Sequence, residues 1–172
     1  MSSGTGQQLR FTIRPVEPDD TEAVLRLCAN GRVRTYLPLL PTEHHEEFLR
    51  SQEITEDRVN DTKLKFSQPK PGSIRIVAVI GGKIIGYHGA KTTEGILHLT
   101  GLFVDEAYQG EGVGKELMHA VLEKGVGMTI SLKVLEANTH ATSYYYRLGF
   151  HVLPGGDDEY HGAKRVTMIR EL

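Results

Sequence analysis

The chain has 172 residues, of which 39% are hydrophobic and 24% are charged, so it has the composition of one globular domain and not of a disordered chain. Its net charge of −2 disfavours non-specific nucleic-acid binding, and no apolar run reaches the roughly 18 residues that cross a bilayer. We therefore expect neither nucleic acid nor a membrane as a partner. The single cysteine, Cys28, excludes an internal disulfide, and the chain starts without the apolar core of a secretion signal, which favours a cytoplasmic protein.

The first strand is predicted close to the start of the chain. Residues 1–8 have no hydrophobic periodicity and are predicted to form a disordered tail in front of a single domain, residues 9–172. Phe11 to Arg14 alternates between apolar and polar residues, and Pro15 follows. This pattern predicts a short strand that ends at the proline.

Two helices and a loop are predicted next. Asp19 to Glu22 resembles a capping box, which predicts the start of a helix, and Asn30 and Gly31 are expected to end it. Thr42 is expected to cap a second helix. The polar stretch from Asn60 to Gly72 is predicted to be a loop.

The middle of the chain has the pattern of β-strands. Two apolar runs, residues 73–80 and 83–90, flank Gly81 and Gly82, which predicts a hairpin with a tight primed turn. Residues 96–104 are almost entirely apolar, which predicts a central strand. Gly101 lies inside this strand and is interpreted as the mark of a β-bulge.

The last third of the chain alternates helices and strands. A helical apolar stripe from Val113 to Leu122 is followed by a strand at 128–135, a short helix at 141–148 and a final pair of strands. Together with the preceding elements, this order predicts an α/β fold. We expect a twisted, mixed and largely antiparallel sheet of about seven strands, flanked by about four helices.

Three glycines lie at the start of the helix that follows the central strand. Gly110, Gly112 and Gly114 alternate with other residues between Gln109 and Lys115. Glycine lets backbone approach a ligand closely, and a helix start offers unpaired N–H groups, so this segment is typical of a phosphate site. The same glycines are also compatible with a simple tight turn, and their spacing matches neither the P-loop nor the dinucleotide-binding pattern.

A second motif follows the next strand. Asn138, Ala141, Tyr144-Tyr145 and Leu148-Gly149-Phe150 are spaced as Asn-x-x-Ala-x-x-Tyr-Tyr-x-x-Leu-Gly-Phe. Together with Gln109-x-x-Gly-x-Gly, and in this order, the two motifs resemble those of the GNAT superfamily of N-acetyltransferases. The resemblance covers nearly the whole chain and implies the GNAT fold.

The resemblance also implies a cofactor and a reaction. Acetyl-CoA would act as co-substrate, and its acetyl group would pass directly to a primary amine of a small molecule or peptide. Tyr145 would be the catalytic acid that protonates the leaving thiolate. The implied cofactor-binding residues are Leu102, Phe103, Val104, Gln109, Gly110, Glu111, Gly112, Val113, Gly114, Lys115 and Asn138.

The catalytic base is less clearly indicated. A lysine-type amine has a pKa of about 10.4, so only about one in 2,500 is neutral at pH 7, and a base would help the reaction. His98 occupies the position where many members of the family have a glutamate, and we predict it as a catalytic residue, with a purely structural strand histidine as the alternative. Glu136 is a weaker candidate. Lys133 argues against the members that acetylate ribosomal protein N-termini, which often have glutamate there.

The acceptor and the partners are indicated only broadly. Acidic residues are frequent in the segments expected to flank the acceptor, which would attract a cationic amine, although a solvated acidic surface is the better explanation for most of them. These residues are Glu43, Glu46, Glu47, Glu53, Glu56, Asp57, Asp157, Asp158 and Glu159. A protein N-terminus or lysine side chain is an alternative acceptor, and a non-catalytic acyl-CoA sensor is an alternative of another class. We predict no metal site, and a homodimer is possible.

Overall fold

The structure is a computed structural model that describes residues 9–171, so the tail predicted at residues 1–8 lies outside the described part. Within residues 9–171 there are eight strands and five α-helices. The strands are β1 (Thr12–Pro15), β2 (Ser73–Ile80), β3 (Lys83–Thr93), β4 (Ile96–Val104), β5 (Thr129–Leu135), β6 (His151–Val152), β7 (Asp158–Tyr160) and β8 (Ala163–Arg170). The α-helices are α1 (Thr21–Tyr36), α2 (His45–Ser51), α3 (Glu56–Ser67), α4 (Val113–Leu122) and α5 (Thr139–Arg147).

All of these strands form one sheet in the order β1-β2-β3-β4-β5-β8-β6, and β7 pairs with β8. Every pairing is antiparallel except that of β4 with β5, which is parallel. The predicted mixed and largely antiparallel sheet is confirmed. The predicted tight turn between β2 and β3 is also present, since Gly81 and Gly82 both have positive φ, 53° and 77°.

The sheet separates two apolar cores. On one face α4 packs through Leu117 and Val121 against strand residues such as Leu97. On the other face α1 and α3 pack around Phe103 of β4 and Val77 of β2. Strand β4 therefore supplies large side chains to both cores, which explains why its sequence is almost continuously apolar.

The loop predicted from Asn60 to Gly72 is wrong, because most of it is helix α3. Thr55 caps this helix by accepting a hydrogen bond from the N–H of Arg58, at 3.2 Å. Phe66 is the buried residue of the helix, and the other positions face solvent or are partly covered. A helix that buries so little has a polar sequence, and its periodicity is therefore weak.

Helix α1 also differs from the prediction, because it continues past Asn30 and Gly31 to Tyr36. Gly31 is buried against β4: a Cβ atom placed on it would lie 2.5 Å from Cδ1 of Phe103. The glycine therefore permits a close approach of helix and strand and does not end the helix.

We expect Gly31→Ala to lower the free energy of unfolding by about 1–2 kcal/mol. The added methyl group overlaps the Phe103 ring, and the cost of this overlap exceeds the gain in helix propensity. Asn30→Ala is the matched control, since Asn30 is exposed on the same helix and gains only propensity. Urea denaturation measures both changes. A Gly31→Ala variant as stable as the wild type would contradict the close approach.

Candidate functional site

The site begins where the two parallel strands separate. β4 and β5 are paired from Ile96 with Thr129 to Leu99 with Leu132, and no pairing continues beyond that point. At the same level β4 has an irregularity toward β3: Ala90 faces Leu99 and Gly89 faces Gly101, so Thr100 is an extra residue. The predicted bulge is therefore present, one residue before Gly101, and a bulge bends its strand.

A cavity of about 200 Å³ occupies the gap between the two strands. We call it the first cavity. It is bounded by α1, β3, β4, β5 and α5, and its lining includes Leu102, Phe103, Val104, Gln109, Asn138 and Tyr145 from the set predicted on sequence grounds. The two sequence motifs thus meet at one cavity.

The backbone of β4 turns alternate residues toward this cavity. The N–H of Asp105 donates to the carbonyl of Ile85 at 2.8 Å, which makes these two residues a hydrogen-bonded pair of the β3–β4 ladder. By the alternation of antiparallel pairs, Phe103 also bonds to β3, whereas the N–H and C=O groups of Leu102 and Val104 turn toward β5. Since β5 does not pair there, these groups open on to the first cavity.

Side chains already reach one of these groups. The carbonyl oxygen of Val104 lies 3.4 Å from Nε2 of Gln109 and 3.5 Å from Nη2 of Arg34, both of which donate to it. Gln109 therefore connects the glycine segment with the end of β4.

The glycine segment forms the start of α4. Gly110 and Gly112 have φ values of 80° and 83°, and a Cβ atom on either would meet nothing within 4 Å, so these glycines are required by backbone conformation and not by space. The N–H of Glu116 donates to the carbonyl of Gly112 at 3.1 Å. The N–H groups of residues 113–115 precede this first helical bond and have no partner within the helix, so they can bind an anion.

Asn138 is the N-cap residue directly before α5, and Tyr145 lies within the helix. The Oδ1 atom of Asn138 caps the helix by accepting from the N–H of Ala141 at 3.2 Å, which leaves its amide nitrogen as a free donor group at the cavity. Burial raises the pKa of Tyr145 to about 12, so its hydroxyl is protonated at neutral pH. Among the three consecutive tyrosines, Tyr145 lines the first cavity.

His98 lies apart from these residues. It faces Ser131 in the paired part of β4 and β5, and its Nδ1 atom is 2.6 Å from the Ser131 hydroxyl oxygen. It does not belong to the lining of the first cavity, so the structure does not bring it together with Tyr145.

His88 is a residue of the first cavity that the sequence analysis missed. It is 1% exposed, and its Nδ1–H donates to the carbonyl of Gly101 at 2.6 Å, beside the bulge. A carbonyl oxygen can only accept, so the proton is on Nδ1, and Nε2 is a buried acceptor without a partner in the described structure. Burial lowers the pKa of His88 to about 4, so the ring is neutral at pH 7. The sequence offers one sign of this role: His88 lies on a predicted strand, where side chains alternate between the two faces of the sheet.

A second cavity, of about 410 Å³, adjoins the first, and both are lined by Tyr36, Thr100, Lys133 and Val134. It lies between α1, the segment that links α2 to α3, and the strands β5, β7 and β8. Its remaining lining residues are Arg32, Ser51, Gln52, Arg58, Leu135, Tyr160, His161 and Arg165.

Of the two interpretations of the acidic residues, the structure favours a solvated surface over an acidic acceptor side. Within residues 9–171 none of the nine acidic residues named for it belongs to the lining of either cavity. Eight are exposed, and Asp158 pairs with Lys133 and Arg165 beside the second cavity. Glu136, the weaker candidate for the base, pairs at 3.0 Å with Lys164 and also lies outside both linings. The charged side chains of the second cavity are cationic.

Three further observations concern other chemistries. Cys28 is buried in the core and burial raises its thiol pKa to about 11, so it is a packing residue. Within residues 9–171, no three His, Cys, Asp or Glu side chains cluster as metal ligands would. No helix in the same part of the chain has both the length and the apolarity to cross a bilayer.

Residues 37–150 match the model of the Acetyltransferase (GNAT) family. The chain belongs to the GNAT family. The resemblance noted from the two motifs is thereby confirmed. Within this GNAT domain, the first cavity is lined by the bulged β4, by Gln109 directly before the glycines, and by Asn138 and α5.

Two named acetyltransferases are similar to about half of the chain. Spermine/spermidine N(1)-acetyltransferase of Bacillus subtilis is 34% identical over 82 residues, which cover 45% of this chain and 51% of that protein. N-alpha-acetyltransferase RimI of Mycobacterium tuberculosis is 34% identical over 100 residues, 53% of this chain and 61% of that protein. The chain thus spans little more than half the length of these two relatives.

The fold is also that of solved GNAT structures. The PaiA N-acetyltransferase of Thermoplasma acidophilum, in complex with coenzyme A, has a TM-score of 0.73 and 20% sequence identity, and the match covers 95% of this chain and 100% of that one. The GNAT fold predicted from the sequence is confirmed.

The pH dependence of stability tests whether the His88 ring is buried at the first cavity. Its pKa is about 4 in the folded protein and about 6.5 in the unfolded chain, so the unfolded chain binds a proton that the folded protein does not as pH falls. We expect the wild type to lose about 2 kcal/mol more stability than His88→Gln between pH 7 and pH 5. His119→Gln is the control, because His119 is exposed. Urea denaturation at each pH measures the difference, and parallel curves for wild type and His88→Gln would contradict it.

Proposed function

We propose that the chain transfers an acetyl group from acetyl-CoA to a primary amine of a small molecule or peptide, by direct attack in a ternary complex. The observation that carries this proposal is the unpaired gap between β4 and β5, which is lined by Gln109, directly before the glycine segment, and by Tyr145. Membership of the GNAT family and the coenzyme A complex of the PaiA N-acetyltransferase support it.

The residues at the first cavity fit the cofactor. The N–H groups of residues 113–115 would bind its pyrophosphate, and the open turn around Gly110 and Gly112 leaves room beside them. The N–H and C=O groups of Leu102 and the N–H of Val104 would bind its amide-containing arm as an added strand binds a sheet edge. Bound there, acetyl-CoA supplies the thioester.

Tyr145 would act on the leaving sulfur. Its pKa of about 12 is well above the roughly 8.5 of a thiol, so complete proton transfer to a thiolate is uphill. The hydroxyl can nevertheless donate a hydrogen bond to the negative charge that develops on sulfur. Such a bond stabilises the transition state by about 1.5–3 kcal/mol. We therefore assign Tyr145 the role of hydrogen-bond donor, with water delivering the proton.

The acceptor amine must lose a proton before or during attack. No carboxylate side chain lines the first or second cavity within residues 9–171, and His98 is outside both linings. We propose that water takes the proton, and His98 stays a prediction for a base that would act through solvent.

Direct attack is favoured over an acetylated enzyme. Cys28, the single cysteine, is buried away from both cavities, and its raised thiol pKa disfavours the thiolate. A free cysteine is also typical of proteins in the reducing cytoplasm, and we propose that the chain acts there.

We expect Gly112→Glu to abolish the increase in Tm that acetyl-CoA gives the wild type, because the new carboxylate would lie among the N–H groups that bind phosphate. Gly127→Glu is the matched control: Gly127 has nearly the same φ, 79° against 83°, and equally open surroundings, so its backbone strain is similar. Thermal denaturation with and without acetyl-CoA measures both. An undiminished shift in Gly112→Glu would remove the glycine segment from the binding site.

We expect Tyr145→Phe to lower kcat about 10- to 100-fold with little change in acetyl-CoA binding, since one hydrogen bond to developing charge is lost. Tyr144→Phe is the control, because Tyr144 does not line the first cavity. Thiol release from acetyl-CoA with amines, peptides and amino sugars measures turnover. Equal kcat in Tyr145→Phe would exclude the residue from the mechanism, and a Tm shift without thiol release for any acceptor would favour a sensor.

A further inference from the structure

We infer that the acceptor amine carries an anionic group, a carboxylate or a phosphate, which Arg32 and Arg58 bind in the second cavity. This inference rests on the proposed function, because it names the acceptor class of the same site.

The position of the second cavity suits the non-reacting part of an acceptor. It meets the first cavity at Tyr36, Thr100, Lys133 and Val134, where β4 and β5 have just separated. An amine that reaches the gap from the α1 face therefore has the rest of its molecule in the second cavity. What lines that cavity selects the acceptor.

The charge of the second cavity is positive. Arg32, Arg58, Lys133 and Arg165 line it, and its lining contains no Asp or Glu. Two carboxylates contact this lining from outside. Asp158 accepts two hydrogen bonds from Arg165, at 2.8 and 2.7 Å, and one from Lys133, at 2.5 Å, and Oε1 of Glu47 lies 3.8 Å from Nδ1 of His161. These two negative charges balance at most two of the four cationic charges, so the cavity retains an excess of positive charge.

Arg32 and Arg58 carry this excess. Within residues 9–171 neither forms an ion pair with a carboxylate, and both are partly buried. Arg58 is positioned by donating Nη1 to the carbonyls of Ser51 and Glu53, at 3.1 and 3.0 Å, and Arg32 packs over the ring of Phe103 at 5.2 Å. Two positioned guanidinium groups without carboxylate partners favour a carboxylate or phosphate ligand.

Gln52 adds an independent observation. It is 9% exposed and lines the second cavity, and its Oε1 atom is buried without a hydrogen-bond partner. Its amide orientation is fixed, because Nε2 donates to Oγ of Ser51 at 2.8 Å while that hydroxyl donates to the carbonyl of Phe48 at 2.6 Å. A buried acceptor atom without a partner is unfavourable, so the ligand is expected to offer an N–H or O–H besides its anionic group.

The positive cavity also bears on reactivity. Cations near an ammonium group destabilise its charged form and lower its pKa, so more of the bound acceptor is the neutral nucleophile. This effect suits a site whose lining contains no carboxylate base. A polyamine, by contrast, would place a further ammonium among these cations and would be disfavoured.

The test compares amines of matched length that differ in the group at the far end. ε-Aminocaproate, hexylamine and cadaverine carry an anionic, neutral and cationic end, and O-phosphoethanolamine against ethanolamine tests a phosphate. We expect kcat/KM for the anionic member of a series to be about tenfold higher or more, as one charge-assisted contact gives. The ratio of kcat/KM between the anionic and the neutral amine is compared for the two series. The series with the larger ratio shows whether the site prefers a carboxylate or a phosphate.

Variants assign the effect to the two arginines. Arg32→Gln and Arg58→Gln are expected to raise KM for the anionic amine about tenfold or more with little change in kcat, since the anionic end is bound equally before and during reaction. Arg26→Gln is the control, because Arg26 lies on α1 like Arg32 but outside the second cavity. Unchanged KM in both cavity variants would overturn the assignment.

The outcomes separate this inference from the proposed function. Faster transfer to cadaverine or hexylamine would overturn the inference and leave amine acetylation intact. If no amine is acetylated, calorimetry measures whether ε-aminocaproate or O-phosphoethanolamine binds to the coenzyme A-loaded protein. Binding that Arg58→Gln removes would support the anion site while the proposed function fails, and no binding of either compound would overturn the inference.

Discussion

The interruption of the β4–β5 pairing is the feature on which both cavities depend. Backbone polar groups in the middle of a sheet normally pair, and leaving them unpaired without solvent or a ligand is unfavourable. Here each strand is supported on its far side, β4 by β3 and β5 by β8, so the sheet remains continuous around the gap. The gap therefore places free N–H and C=O groups at the centre of the molecule without exposing a sheet edge.

The bulge at Thr100 determines which side chains surround that gap. Before it, Leu97 and Leu99 pack toward the α4 core, and after it Leu102 and Val104 do so. The extra residue has shifted the alternation by one position, and it also offers the Gly101 carbonyl to His88. One inserted residue thus changes strand direction, side-chain alternation and hydrogen bonding at the same point.

The residues proposed for the cofactor were largely predictable from the sequence, and those proposed for the acceptor were not. Glycine spacing before a helix and the Asn138–Tyr145 motif report local backbone geometry, which neighbouring residues specify. The second cavity instead gathers Arg32, Arg58 and Arg165 from three distant segments, whose acidic residues stay outside its lining. Charge counts cannot show which faces turn inward, because that depends on tertiary packing.

The helix prediction failed at Gly31 for a related physical reason. Glycine is a common helix terminator, but Gly31 lies inside a helix because a larger residue there would overlap the Phe103 ring. Only the three-dimensional position of Phe103 shows this. A similar limit applies to His88, whose burial depends on the strands and helices around it.

The close seating of α1 on β4 has a consequence for how acceptor choice changes over evolution. Because the backbone of α1 at Gly31 touches the Phe103 ring, this wall of the second cavity cannot shift inward to fit a smaller molecule. Divergence at this wall must therefore proceed by exchanging side chains such as Arg32 and Tyr36 on a backbone that stays in place. Acceptor preference can then drift by single substitutions while the glycine segment and α5, on other elements, are left undisturbed.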